Sequence, residues 1–124
     1  MSASNYLEGA VLSAILNKQT YTGGNVYVGL YNVAPTESTS GTELTGNGYS
    51  RQIANFAVSS GTALNVDGIG FPATGAWLAA KAVAILDAST GGNVLLYKNL
   101  GTPKTIGNAE TITFAANSIS ISVD

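Results

Sequence analysis

Apolar residues recur at every second position over much of this chain, and that period of two constrains the fold more than any other feature of the sequence. Successive side chains of a strand point to opposite faces, so such a run offers one face to a core. The last element is the cleanest. Ile119, Ile121 and Val123 alternate with Ser118, Ser120 and Ser122, one face apolar and the other all hydroxyl. Val26, Val28 and Leu30 alternate with Tyr27, Gly29 and Tyr31, which reads as a half-buried strand. Between Tyr49 and Val58 the parity changes, with Ile53 on one face and Phe56 and Val58 on the other, so a bulge or bend is expected there.

The remaining pieces are short. Strands are expected near 63–66 and 69–71, over 81–87, over 94–100 and around Ile112 and Phe114, with Trp77 in a loop or at a strand start. Gly46-Asn47-Gly48 reads as a turn where positive φ is cheap, 87–93 as a hairpin connection, and Gly101-Thr-Pro103 as a change of direction. About eight short strands with turn signals every ~8–12 residues make an all-β fold, a single β-sandwich or jelly-roll-like domain spanning residues 1–124.

The N-terminus departs from this period. Residues at about 5–17 form one helix, with Ser4 or Asn5 as N-cap and Asn5 and Glu8 at capping-box spacing. Leu7, Val11, Ala14 and Ile15 share the face expected to meet a sheet. Leu12 and Leu16 form a second apolar stripe, so cover on more than one side is expected.

Composition removes most catalytic chemistry. The chain has no histidine and no cysteine, and 10% of its residues are charged against roughly 25% in an ordinary soluble domain. Ser-His-Asp and Cys-His nucleophiles are impossible, and carboxylates alone are a poor zinc set. Asp67, Asp87 and Glu110 are the carboxylates that an acid–base pair would have to use. Asn65-Val-Asp67-Gly68 is a fragment of a calcium loop without the remaining acids, and reads as a turn. Neither Gly46-Asn-Gly48 nor Gly68-Ile-Gly70 continues into a phosphate loop. The expectation is no enzyme, no cofactor and no metal.

Lys18, Arg51, Lys81, Lys98 and Lys104 stand singly in a chain of net charge −2, so nucleic acid is not an expected partner. No apolar run is long enough to span a bilayer, and the start lacks a leader pattern, which reads as an unprocessed cytoplasmic product with no membrane partner. Arg51 follows a glycine turn, and its planar fork is expected to bridge backbone carbonyls or a carboxylate such as Glu43 or Asp87, pinning the long loop before it. Tyr21, Tyr27, Tyr31, Tyr49 and Tyr97 with Trp77 belong to the core or to a subunit interface, or else form a sugar-stacking platform.

Taken in order, several stretches resemble a family of small tailed-bacteriophage virion proteins, often labelled tail fibre or capsid decoration (cement) proteins. They are Asn5-Tyr-Leu-Glu8, Val26-Tyr-Val-Gly-Leu-Tyr31, Gly41-Thr-Glu43 with Gly48-Tyr-Ser-Arg-Gln52, Phe71-Pro-Ala-Thr74 with Trp77, Ile85-Leu-Asp-Ala88, and Thr90-Gly-Gly-Asn93-Val-Leu-Leu-Tyr97 with Leu100. Leu78 and Asn108-Ala-Glu110 depart from the pattern, where glycine and Gly-Asp are expected. The resemblance implies a virion component with no catalytic residues.

The function expected on that basis is a capsid decoration protein, a homotrimer on the outer capsid surface that bridges copies of the major capsid protein. A tail-fibre or baseplate component is the alternative, and a free carbohydrate-binding module a third. The helix and the 34–48 loop are the expected contact regions, with Tyr6, Leu12, Leu16, Tyr49, Arg51 and Trp77 as interface residues.

Overall fold

A computed structural model describes residues 1–20 and 23–122. Strand β1 (Ser2–Ala3) leads into helix α1 (Asn5–Leu16), followed by β2 (Val26–Val33), β3 (Thr42–Glu43), β4 (Gln52–Ala54) and β5 (Phe56–Ser59). Then come β6 (Thr62–Asn65), β7 (Ile69–Pro72), β8 (Trp77–Leu86), β9 (Val94–Ile106), β10 (Thr111–Phe114) and β11 (Ser120–Ser122). The largest sheet runs β1-β9-β8-β2-β3, with β4 also on β2; β10 pairs with β7, and β11-β6-β5 form a third sheet. All of these pairings are antiparallel. The all-β reading with one N-terminal helix holds.

The alternation builds the core as expected. Val28 and Leu30 of β2 and Val83 and Ile85 of β8 meet Ile69 and Phe71 of β7, Ile112 of β10, and Ile119 and Ile121 in one buried cluster. The change of parity after Tyr49 is a change of sheet. Ala54 pairs with Val26 in the large sheet, and Phe56, two residues on, pairs with Asn65 in the third. The Val123 position of the final alternation lies outside the described residues.

Three expectations need correction. First, β2 is buried on both faces from Val28 to Tyr31, because Tyr31, Ala82, Ala84 and Leu86 form a second cluster on the reverse of the sheet. Second, Gly101-Thr-Pro103 does not end a strand; β9 continues to Ile106. The register absorbs these residues, since Ala82 faces Asn99 while Ala80 faces Lys104, a bulge where Pro103 needs no ladder hydrogen bond.

The third concerns the helix. Its cap is Ser4, whose side chain accepts from the Leu7 N–H, so Asn5 is already helical and the Asn5/Glu8 box does not form. The helix ends where Lys18, at φ 54, lets the Gln19 N–H reach back to the Ser13 carbonyl. Leu7, Ala10, Ser13 and Ala14 are half-buried and form the inward side, while Val11 and Ile15 face outward. Small residues let the helix approach the β9 edge closely, and the bulky pair is rotated away.

Candidate functional site

The densest polar arrangement lies where the 34–48 loop, β4 and the 87–93 hairpin meet the edge of the large sheet. Between the segments of β2 paired with β4 and with β3, the Leu30 N–H has no strand beside it. It donates instead to the Tyr49 hydroxyl at 2.9 Å, and the Leu30 carbonyl accepts from Leu44 N–H at 3.0 Å. The Tyr49 hydroxyl then donates to Glu43 Oε2 at 2.6 Å. A side chain thus fills a gap in a backbone ladder.

Arg51 completes the arrangement. Its Nε and Nη2 donate to Glu43 Oε2 and Oε1 at 2.8 and 2.9 Å, a bidentate pair. Its Nη1 donates to the carbonyls of Ala88 and Gly91 at 2.7 and 2.8 Å. One guanidinium therefore ties the loop to the hairpin, as its place after a glycine turn predicts. The strong hydrogen bonds to Glu43 raise the Arg51 pKa against the opposing effect of burial. Burial, reinforced by the hydrogen bond to Glu43, holds the Tyr49 phenol far above its usual range. Burial and then the Glu43 charge push Tyr31 up to about 12.

The aromatic residues belong to the same framework. Tyr49 stacks on Phe71 with centroids 6.2 Å apart and meets the edge of Trp77 at 5.5 Å. The Trp77 Nε1–H donates to the Asn47 carbonyl at 2.9 Å, and the Asn47 amide donates to the Ala76 carbonyl at 2.6 Å. Trp77 and Tyr31 are 8% and 2% exposed and belong to the core, while Tyr27, Tyr49 and Tyr97 are half-buried; Tyr21 lies outside the described residues.

Of the six expected interface residues, the structure gathers Tyr49, Arg51 and Trp77 in one network that holds the loop. Tyr6, Leu12 and Leu16 are exposed on the helix. Glu43 is one of the two carboxylates expected as the partner of Arg51, whereas Tyr31, whose phenol feels both charges, is not linked to them by any local pattern. Apart from this network, Asn65 is fully buried, accepts from Ile119 N–H at 2.8 Å and donates to the carbonyls of Asp67 and Ala115, each at 2.9 Å, so the turn expected at 65–68 also fastens the backbone.

The arrangement has little capacity for chemistry. Glu43, the carboxylate nearest a phenol, has both oxygens occupied by Arg51 and Tyr49. Burial opposes the Asp87 charge, but the Asn93 backbone N–H and side-chain amide outweigh it and hold the carboxyl below its usual pKa. Glu110 accepts from the Gly107 N–H at 2.8 Å. No cluster of acidic residues able to hold a metal occurs among the described residues. A cavity of about 280 Å³, lined by Tyr31, Glu43, Arg51, Leu86, Gly91 and Val94, opens beside the ion pair.

The other conspicuous surface is α1. None of its residues is fully buried, while Leu12, Ile15 and Leu16 are 57%, 70% and 74% exposed. A helix with apolar side chains on most of its circumference is normally a buried one.

No curated protein matches the chain. The family model of the podophage GP4 fiber I protein gp80 matches residues 2–122, and the chain belongs to this family of phage virion structural proteins.

Proposed function

We propose that the chain is a non-catalytic building block of the virion's fibre apparatus, acting through the surfaces it presents to neighbouring subunits. The observation that carries this reading is the match to a fiber protein family over residues 2–122, nearly the whole chain. The arrangement of polar groups supports it. The most elaborate network serves to fix a loop and a hairpin in place, and a contiguous group of exposed apolar side chains, Leu12, Ile15 and Leu16 among them, lies on one helix. Rigid loops and an uncovered helix suit a part that is assembled rather than one that turns over a substrate.

Capsid decoration is a second reading, and one observation favours it. The chain is built of antiparallel strands around a main core with a smaller cluster behind the large sheet, with a helix of 12 residues and no long heptad or repeat segment from which a fibre shaft is made. A compact block of this kind also suits a shell, where it would bridge copies of the major capsid protein, as a homotrimer on the outer capsid surface. The two readings separate on location and copy number in purified particles, measured by quantitative mass spectrometry and electron microscopy with a labelled chain. A small multiple at the tail is the expected result. Hundreds of copies over the head would replace the fibre reading with the decoration one, and absence from the particle would end both.

A further inference from the structure

The outward face of α1 has no cover within the chain. Val11, Leu12, Ile15 and Leu16 lie next to one another on it at i, i+1, i+4 and i+5, with exposures from 43% to 74%. Together they form a contiguous exposed apolar patch, and the largest such patch on a monomer is often functional. A standard interface takes about 800 Å² from each partner, and in homodimers roughly 65% of that is apolar. The helix face supplies the apolar centre of such an interface.

We propose that this face packs against the same face of a second copy of the chain, the two helices antiparallel about a two-fold axis. Charge fixes the direction. The outward face carries a single charged residue, Glu8, one turn before Leu12, and Lys18 follows the helix at its other end with no ion-pair partner among the described residues. An antiparallel pair centred between Leu12 and Ile15 sets Glu8 of each copy beside the Lys18–Gln19 end of the other. A parallel cluster, including the trimer expected from sequence, would bring like charges together at both ends. In the antiparallel pair Leu12 of one copy lies against Ile15 of the other and Val11 against Leu16, so each patch meets itself, the condition of an isologous interface. This inference stands on the helix and is compatible with the fibre reading, whereas the homotrimer of the decoration reading would exclude it.

The test is sedimentation velocity on the purified chain at about 100 µM. Twice the 12.6 kDa chain mass is expected. Leu12→Glu with Leu16→Glu should give the single-chain mass, as should Ile15→Glu alone; unchanged Trp77 emission verifies that the core is intact. Glu8→Lys should weaken dimerisation roughly fivefold or more, and adding Lys18→Glu should restore it. A monomeric wild-type chain overturns the proposal, including one that instead floats with lipid vesicles or assembles only on the virion. So does a trimer, a dimer that survives both helix variants, or a charge exchange that fails to restore assembly.

Discussion

Replacing Tyr49 with phenylalanine removes one oxygen and leaves the ring stacked on Phe71 and against Trp77. The oxygen has two partners. Leu30, 0% exposed, loses the acceptor for its N–H, and no strand lies beside it to offer another. An unsatisfied buried donor costs about 1–3 kcal/mol. Glu43 Oε2 loses a donor as well, a hydrogen bond to a charged group worth about 1.5–3 kcal/mol when buried. Glu43 retains Arg51 and has some access to solvent, so that loss falls at the low end. The sum expected for Tyr49→Phe is about 2–4 kcal/mol, a drop of roughly 10 °C in Tm for a domain of this size.

The single tryptophan is buried beside Tyr49, so its fluorescence through a guanidinium titration reports the unfolding of this part of the core directly. A shifted midpoint with an unchanged slope is the expected outcome. Tyr97→Phe is the matched control: a half-buried tyrosine with no side-chain hydrogen bond among the described residues should change stability by less than about 0.5 kcal/mol. If Tyr49→Phe costs no more than that control, the hydroxyl is not completing the ladder and the ring alone carries the residue's role.

Three further measurements follow from the same geometry. A Cβ at Gly29 would sit 3.0 Å from Glu43 Oε2 and 3.2 Å from the Tyr49 hydroxyl, neither free to move, so Gly29→Ala should cost about 1–3 kcal/mol in the same titration. Asn65→Ala strands the Ile119 N–H and two carbonyls together, and should cost about 2–4 kcal/mol; a smaller loss would mean that water replaces the amide. Tyr31 and Tyr49 keep their protons above pH 10, where the unfolded chain gives them up, so the folded state binds more protons and stability must fall as pH rises from 10 towards 12, by about 1 kcal/mol per pH unit for each. Equal stability at pH 9 and 11, or all phenols ionising together in the folded chain, would contradict that assignment.

How much of this was legible in the sequence depends on whether a feature is local. Ser4 caps a helix because its own spacing to Leu7 allows it, and Ile119 and Ile121 enter the core because the period of two sends them there. The reach of Arg51 could be read from its fork and its position after a turn, though not which carbonyls it would find. Tyr31 and Tyr49 were illegible as a pair, since alternation assigns a residue to a face and says nothing of what lies across it. At Asn65 the turn could be read from the sequence, but not the burial of its amide, which depends on Ile119 and Ala115 some fifty residues away. Sheet order and the Ala80–Lys104 register are set by contacts between distant segments, and no local pattern carries them. The rotation of α1 was hidden for the opposite reason: with apolar side chains on most of its circumference, its sequence does not say which side the sheet takes.

That ambiguity bears on what the chain is for. In an ordinary soluble domain the bulky aliphatics are inside and the charges outside, because an exposed charge costs nothing and an exposed leucine does. Here Glu43 and Arg51, the closest ion pair, are largely buried among loops, while Ile15 and Leu16 stand in water. A helix of 12 residues is marginal in isolation and draws its stability from what it packs against. Within one chain α1 has the β9 edge and four half-buried contacts, all small except Leu7. Cover for the rest would come from a partner, and a second helix of the same sequence, as proposed above, would bring apolar surface and opposite charges at its ends.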